Sequence, residues 1–465
     1  MGRVRHHPVR VPGARGNGHV NGEANGIGHD AGHTAGLVAP PLPAAERVGE
    51  NIAPAIPKSS STDTVGLRSL IKRLRQPVSA ARSLIHRCVA AAIPAQDDLA
   101  FWGALALVVV LTLFLLAQVG TALSRPQSLV IPGPPEPTAP PIPATLTASV
   151  REASVHTYTL PNPDAGLMQP AVDPAGNVWV GEMTANRLAE LNPTTGQVRA
   201  WEPPHSSHTI MATQVDAQGR VWFTEQAANY IGRFDPATQT FKTYALPQSD
   251  GHTSGPQDLR FDAAGKLYVT LASAGRIGRL DPATGALDTW DVPAPASGVH
   301  PTPWALAVTP SGQVWFGLLS GGAVGRLDPA SGQVGLIHLA DPQAAVFSMA
   351  ADGHGRVYFT ELQAGKLGAI ETATGKLREL DVPRVLGDPQ SLYGITTAPN
   401  GDAWFDSAGA NAIVRFAPQA GAFTFYKLPI PSSVPYGIAL DDAGKAWFAA
   451  DDADGNYIGA VTPTG

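Results

Sequence analysis

Cysteine is all but missing from this 465-residue chain, and Cys88 is the single one. Everything downstream of it therefore lacks disulfide staples and thiol chemistry, and a folded C-terminal domain must be held by packing alone. Charge is sparse as well, at 15% of residues, and a net charge of −6 leaves no basic excess to attract a nucleic acid. No kinase, phosphatase or DNA-binding signature precedes residue 99. From Leu99 to Ser124 charge is absent over 26 residues, more than the roughly 20 needed to cross the hydrocarbon core of a bilayer. This stretch begins too far from Met1 for a cleavable signal peptide. Arg68, Lys72, Arg73, Arg75, Arg82 and Arg87 precede it with no acid among them, while Arg125 alone follows closely. The positive-inside rule then predicts a single transmembrane helix at 99–124, a signal anchor with its N-terminus in the cytoplasm and the remainder extracytoplasmic.

The flanks of that segment differ in kind. Residues 1–62 are Gly, Ala, Pro and scattered His with almost no aromatic content, which predicts a disordered cytoplasmic tail. Residues 63–98 are basic. Leu67, Leu70, Ile71 and Leu74 mark one helical face there, suited to the inner leaflet of a membrane. Residues 125–150 carry eight prolines and are expected to form an extended spacer that lifts the following domain off the membrane.

Residues 151–465 are dominated by a repeat. A Gly is followed three residues later by Trp or Tyr at Gly176/Trp179, Gly219/Trp222, Gly265/Tyr268, Gly312/Trp315, Gly355/Tyr358, Gly401/Trp404 and Gly444/Trp447, with the glycines 43 to 47 residues apart. The frequent Gly and Pro of this region argue against long helices there. Short apolar runs at this period are those of a four-stranded propeller blade. The second repeat reads most clearly, with apolar runs at 212–216, 220–224 and 230–234 and an alternating one at 241–246. A turn at Asp235-Pro236 separates the last two. The last repeat lacks its fourth strand, whereas Val155–Leu160, followed by Pro161, stands alone before the first repeat and matches Phe241–Pro247. The expected fold is therefore all-β, a seven-bladed β-propeller whose N-terminal strand closes the last blade and leaves no open edge. The recurring Trp residues are assigned to structure. Arg233, Arg279 and Arg326, equally periodic, are expected to pair with an acid or remain solvated.

The pattern Gly-x-x-Trp-Phe-Thr-Glu, then Ile-Gly-Arg-(Leu/Phe)-Asp-Pro-x-Thr-Gly, then a strand ending Leu-Pro, is best written at 219–239, 265–285 and 312–332. It resembles the virginiamycin B lyase (streptogramin lyase) family over about residues 154–465. The resemblance implies a carbon–oxygen lyase that opens cyclic depsipeptides at an ester, using a divalent cation such as Mg²⁺ and a His general base. The metal would polarise the ester carbonyl while the base removes the α-proton and the alkoxide leaves. It also implies His eight residues before the blade Gly in two neighbouring blades, and Glu six residues after it, the two expected as cross-strand neighbours at one tunnel mouth.

Those positions are occupied differently in this chain. Eight residues before each Gly stand Met168, Met211, Gln257, Trp304, Phe347, Tyr393 and Tyr436, with no His among them. Six residues after it stand Glu182, Glu225, Leu271, Leu318, Glu361, Ser407 and Ala450. His205, His208, His252 and His300 lie in the loops entering the second, third and fourth blades, on the same face. One reading places Glu182 and Glu225 on a divalent cation, with Glu225, His208 and His252 as catalytic groups. Its alternative leaves them as solvated rim residues. Trp304, Phe347, Tyr393 and Tyr436 predict an aromatic wall opposite Met168, Met211 and Gln257, suited to a sugar, an aromatic or a macrocycle, or else simply packing between blades. Three functions stay open: a metal-assisted lyase on an ester or lactone, a non-catalytic ligand sensor or cell-wall-binding module, and a protein scaffold.

Overall fold

The computed structural model of the chain describes residues 135–205, 209–249, 252–452 and 455–462. The anchor, the cytoplasmic tail and the basic segment expected from the sequence lie outside the described residues. No helix among the described residues is long and apolar enough to cross a membrane.

The repeat folds as a seven-bladed β-propeller. Blades 1 to 6 each hold four antiparallel strands in chain order, the first innermost around the tunnel, and blade 7 holds three such strands and borrows its outer one. In the second blade the strands are Ile210–Val215, Val221–Glu225, Tyr230–Asp235 and Thr240–Ala245, within two residues of the sequence boundaries. The blade Gly shapes the turn after each inner strand. All seven have positive φ, from 75° at Gly219 to 95° at Gly355, a region closed to most side chains. A second glycine explains the Ile-Gly-Arg pattern. A Cβ on Gly232, Gly325, Gly368 or Gly459 would collide with the ring of Phe223, Phe316, Phe359 or Phe448 on the strand before it. Phenylalanine and glycine thus pack as a pair inside the blade.

The core is divided into wedges between neighbouring blades. Trp179 and Leu188 of blade 1 meet Ile210, Val221, Phe223 and Phe234 of blade 2 in one such cluster. Trp179, Trp222 and Trp447 are fully buried or nearly so. Each donates its indole N–H to Asp173, Asp216 or Asp441 at 2.8–3.0 Å. The structural role expected of the tryptophans holds. The periodic arginines have a more specific place. Arg233 and Arg326 lie over Trp222 and Trp315, and Arg279 bonds Asp288 and lies over Trp290.

Strand β2 (Ser154–Thr159) pairs antiparallel with Gly455–Thr462 and supplies the missing outer strand of blade 7, as the orphan run predicted. Just before it, β1 (Thr147–Arg151) adds a fifth strand, parallel to Ala422–Lys427 of blade 6. The spacer expectation is corrected here for its described part. Glu136 accepts hydrogen bonds from Thr309 and Ser311 in the lower turn of blade 4. The Pro137 carbonyl sits where a side chain on Gly355 would stand. Arg378 donates to the Ile142 and Pro143 carbonyls at 2.7 and 2.9 Å, and Ile142 and Leu146 pack on the wedge between blades 5 and 6. These prolines do not extend freely, because they are strapped across three blades.

Candidate functional site

The upper mouth is built by a local irregularity of the inner strands. Register shifts fall between Ile210 and Thr213, Pro256 and Leu259, Pro303 and Ala305, Val346 and Ser348, and Pro435 and Ile438. Such bulges bend a strand and re-aim its side chains. In these five blades the residue eight before the Gly lies within the bulge. The throat is lined by Met168, Met211, Gln257, Trp304, Phe347 and Tyr436. Its free space is about 30 Å³, close to the volume of one water.

Four of these positions join into one aromatic cluster. Phe347 is central, with ring centroids 6.1 Å from Trp304, 5.2 Å from Tyr393 and 5.5 Å from Tyr436, and the two tyrosines are 4.3 Å apart. All four are half-buried, so the cluster presents a partly open apolar floor at the mouth. Burial, reinforced by Tyr393 and the carboxylates of Asp406 and Asp451, pushes the Tyr436 phenol up to about 12. It stays a neutral hydrogen-bonding group. On the opposite arc Met168 is buried and Gln257 accepts a 2.6 Å bond from the Gln226 amide.

The backbone under these residues is pinned by the neighbouring blade. Thr224, Thr270 and Thr360 donate their hydroxyls to the carbonyls of Gln257, Trp304 and Tyr393 at 2.8–3.1 Å. Blade 6 has Asp406 at that place. Its carboxylate accepts from the backbone N–H of Tyr393, Gly394 and, across the blade boundary, Gly437. Burial outweighs those three donors and raises Asp406 to about 7. This latch was missed in the sequence, although an Asp where three repeats carry Thr was its visible signal.

The carboxylates six residues after Gly do not line the throat. The bulge makes their cross-strand partner the residue nine before Gly, not eight: Glu182 faces Leu167, Glu225 faces Ile210 and Glu361 faces Val346. Those partners are buried and apolar, and the three Glu are 1%, 1% and 0% exposed. The expected juxtaposition with the throat residues is thereby corrected. Glu182 is taken by Arg187, whose Nε donates to it at 2.7 Å. Among the described residues neither Glu225 oxygen has a hydrogen-bond partner, and burial pushes its carboxyl up to about 7. Burial, with the carboxyl of Glu379 close by, pushes Glu361 up to about 7 as well.

Among the described residues no three His, Cys, Asp or Glu gather closely enough to hold a metal ion. With Glu182 neutralised by Arg187, these carboxylates do not fit one. His208 lies outside the described residues. The backbone of His252 belongs to a short ribbon, Gln248–Ser249 with His252–Thr253, in the loop entering blade 3. His205 stacks on Tyr230 at 3.9 Å, its Nε2 buried and without a partner among the described residues. The ring of His300 is exposed against the Ser273 carbonyl.

No curated protein sequence matches the chain significantly. Solved structures do. Virginiamycin B lyase from Staphylococcus aureus is 27% identical, with a TM-score of 0.59, over 67% of this chain and 100% of that one. A catalytically inactive His-to-Ala form of the same enzyme, with quinupristin, gives 27% and 0.60 over the same shares. A streptogramin B lyase structure gives 27% and 0.59, covering 67% of this chain and 97% of its own. The sequence profile described as the virginiamycin B lyase family matches residues 149–465, and the chain belongs to that family.

Proposed function

We propose that this chain is a membrane-anchored family member that binds an aromatic or macrocyclic ligand on the upper mouth without the imidazole-based elimination. The carrying observation is the contact cluster of Trp304, Phe347, Tyr393 and Tyr436, which stands where the family pattern calls for a His base. Half-buried aromatic rings with a few polar neighbours, such as Gln257 and the tyrosine hydroxyls, suit a large flat or cyclic ligand. A relative's structure holds quinupristin, which makes that cyclic depsipeptide the natural first probe. The uncharged run Leu99–Ser124 supports the anchor.

One observation favours elimination as a second reading: Glu225, raised to about 7, would titrate in the range useful to a general base. Its 1% exposure withholds it from a ligand in the throat, so the binding reading is the stronger.

The test is titration of the full-length chain with quinupristin, following tryptophan fluorescence, with mass spectrometry of the ligand afterwards. Saturable quenching with an intact ring, lost about tenfold or more in Phe347→Ala, is the expected result (about 1.4 kcal/mol or more). Ring opening by the wild-type chain would overturn the binding-only reading in favour of the lyase. Absence of quenching would overturn the proposed ligand class.

A further inference from the structure

Below the aromatic constriction the tunnel opens into a second compartment of about 310 Å³, within the range of small-molecule sites. Its walls follow from a rung of side chains five residues before each blade Gly, all of which line it. Four of the seven are alanine. The others are Gln214, Thr396 and Arg260, and Arg260 carries the only charge among the lining residues. Small neighbours on one rung leave room in front of a guanidinium that nothing opposite neutralises.

The guanidinium is held from behind. Its Nη1 donates to the Asp258 carboxylate at 2.5 Å and to the Leu259 carbonyl at 2.8 Å. Asp258 is itself fixed by the backbone N–H of Leu259 and, across the blade boundary, of Leu306. Neither Nε nor Nη2 of Arg260 has a hydrogen-bond partner among the described residues, and neither is sealed from the tunnel. Together these two nitrogens form the side-on fork that a carboxylate takes with two parallel bonds. A hydroxyl at Thr396 and an amide at Gln214 share the compartment as further donors.

We propose that the lower tunnel is a binding site for a small monocarboxylate, anchored by Arg260 and separate from the aromatic mouth. Its selectivity comes from the way in. One side of the lower opening, a space of about 530 Å³ at the turns of blades 7, 1 and 2, is lined by Asp173, Asp441 and Asp442 and by Asp216, which Arg220 pairs; the remaining negative field disfavours multivalent anions more than a single carboxylate. The small rung limits the length of the acid, because the aromatic constriction closes the tunnel above.

Fluorine NMR of trifluoroacetate with the full-length chain tests this at constant ionic strength. The proposal expects saturable line broadening that acetate displaces and sulfate does not. Arg260→Lys keeps a cation beside Asp258 but loses the fork. Ala350→Leu leaves Arg260 intact and fills the rung. Each should weaken acetate binding about tenfold or more while circular dichroism and melting temperature stay near wild type. No saturable binding by the wild-type chain would overturn the proposal, as would equal displacement by sulfate or undiminished binding in Ala350→Leu. Should Arg260→Lys not fold, Ala350→Leu still decides.

Discussion

Blades 1 and 2 carry a glutamate at the same place, and the strand beside it gives each a different fate. Across from Glu182 the third strand offers Arg187, which closes a buried ion pair. The same step of blade 2 offers Tyr230, whose ring is occupied by His205, and among the described residues neither oxygen of Glu225 is bonded. One residue on a neighbouring strand thus decides whether a buried carboxylate is a settled part of the blade or a strained one.

Breaking the pair in blade 1 should have the largest effect. Arg187→Ala leaves Glu182 buried without a counter-charge and is expected to lower stability by about 3 kcal/mol, the lower end for a buried pair because Arg187 is partly exposed, read from urea unfolding at neutral pH. Removing the charge in blade 2 should act the other way. The folded carboxyl of Glu225 titrates at about 7, above its ordinary value of 4.5. The folded chain therefore holds that proton more tightly, and this group's contribution to stability falls as pH rises from 4.5 to 7 and stays low above. Glu225→Gln is expected to gain roughly 2 kcal/mol at pH 8 and nothing at pH 4, so its unfolding midpoints should converge with wild type in acid. The smallest effect belongs to a transplant. Tyr230→Arg gives blade 2 the partner that blade 1 has, and should recover about 1 kcal/mol at pH 8 while flattening the same pH profile. If it leaves the profile unchanged, the cross-strand partner is not what separates the blades.

The architecture was legible because its signals are local and repeated. A glycine with positive φ recurs at all seven lower turns, an indole sits on a turn aspartate in three blades, and a single orphan strand precedes the first repeat. The site was less legible for a physical reason. Counting residues along two strands assumes an unbroken ladder, and the bulged inner strands shift that count by one. Pro256, Pro303 and Pro435 at the strand starts were the warning, since proline in a sheet favours an edge, a first position or a bulge. The engagement of Glu182 by Arg187 was within reach as a charge pair across a short turn. The isolation of Glu225 was not, because the absence of a partner depends on everything packed around it. Arg260 was visible in principle as the one charge on its rung of seven, yet only the closed ring shows that the rung faces a shared space.

The strap formed by residues 136–151 has a mechanical consequence. A pull on the chain from upstream reaches the Glu136 hydroxyl contacts first and then the grip of Arg378 on two carbonyls. Behind them stand five residue pairs between β1 and blade 6, in parallel register. Tension along β1 loads those pairs together in shear instead of peeling them one by one. The outer strand that closes the ring, β2, follows only two residues later. The propeller thus carries its own strain relief, and a tug on its leading end is spent on blades 4 to 6 before it reaches the seam of blade 7.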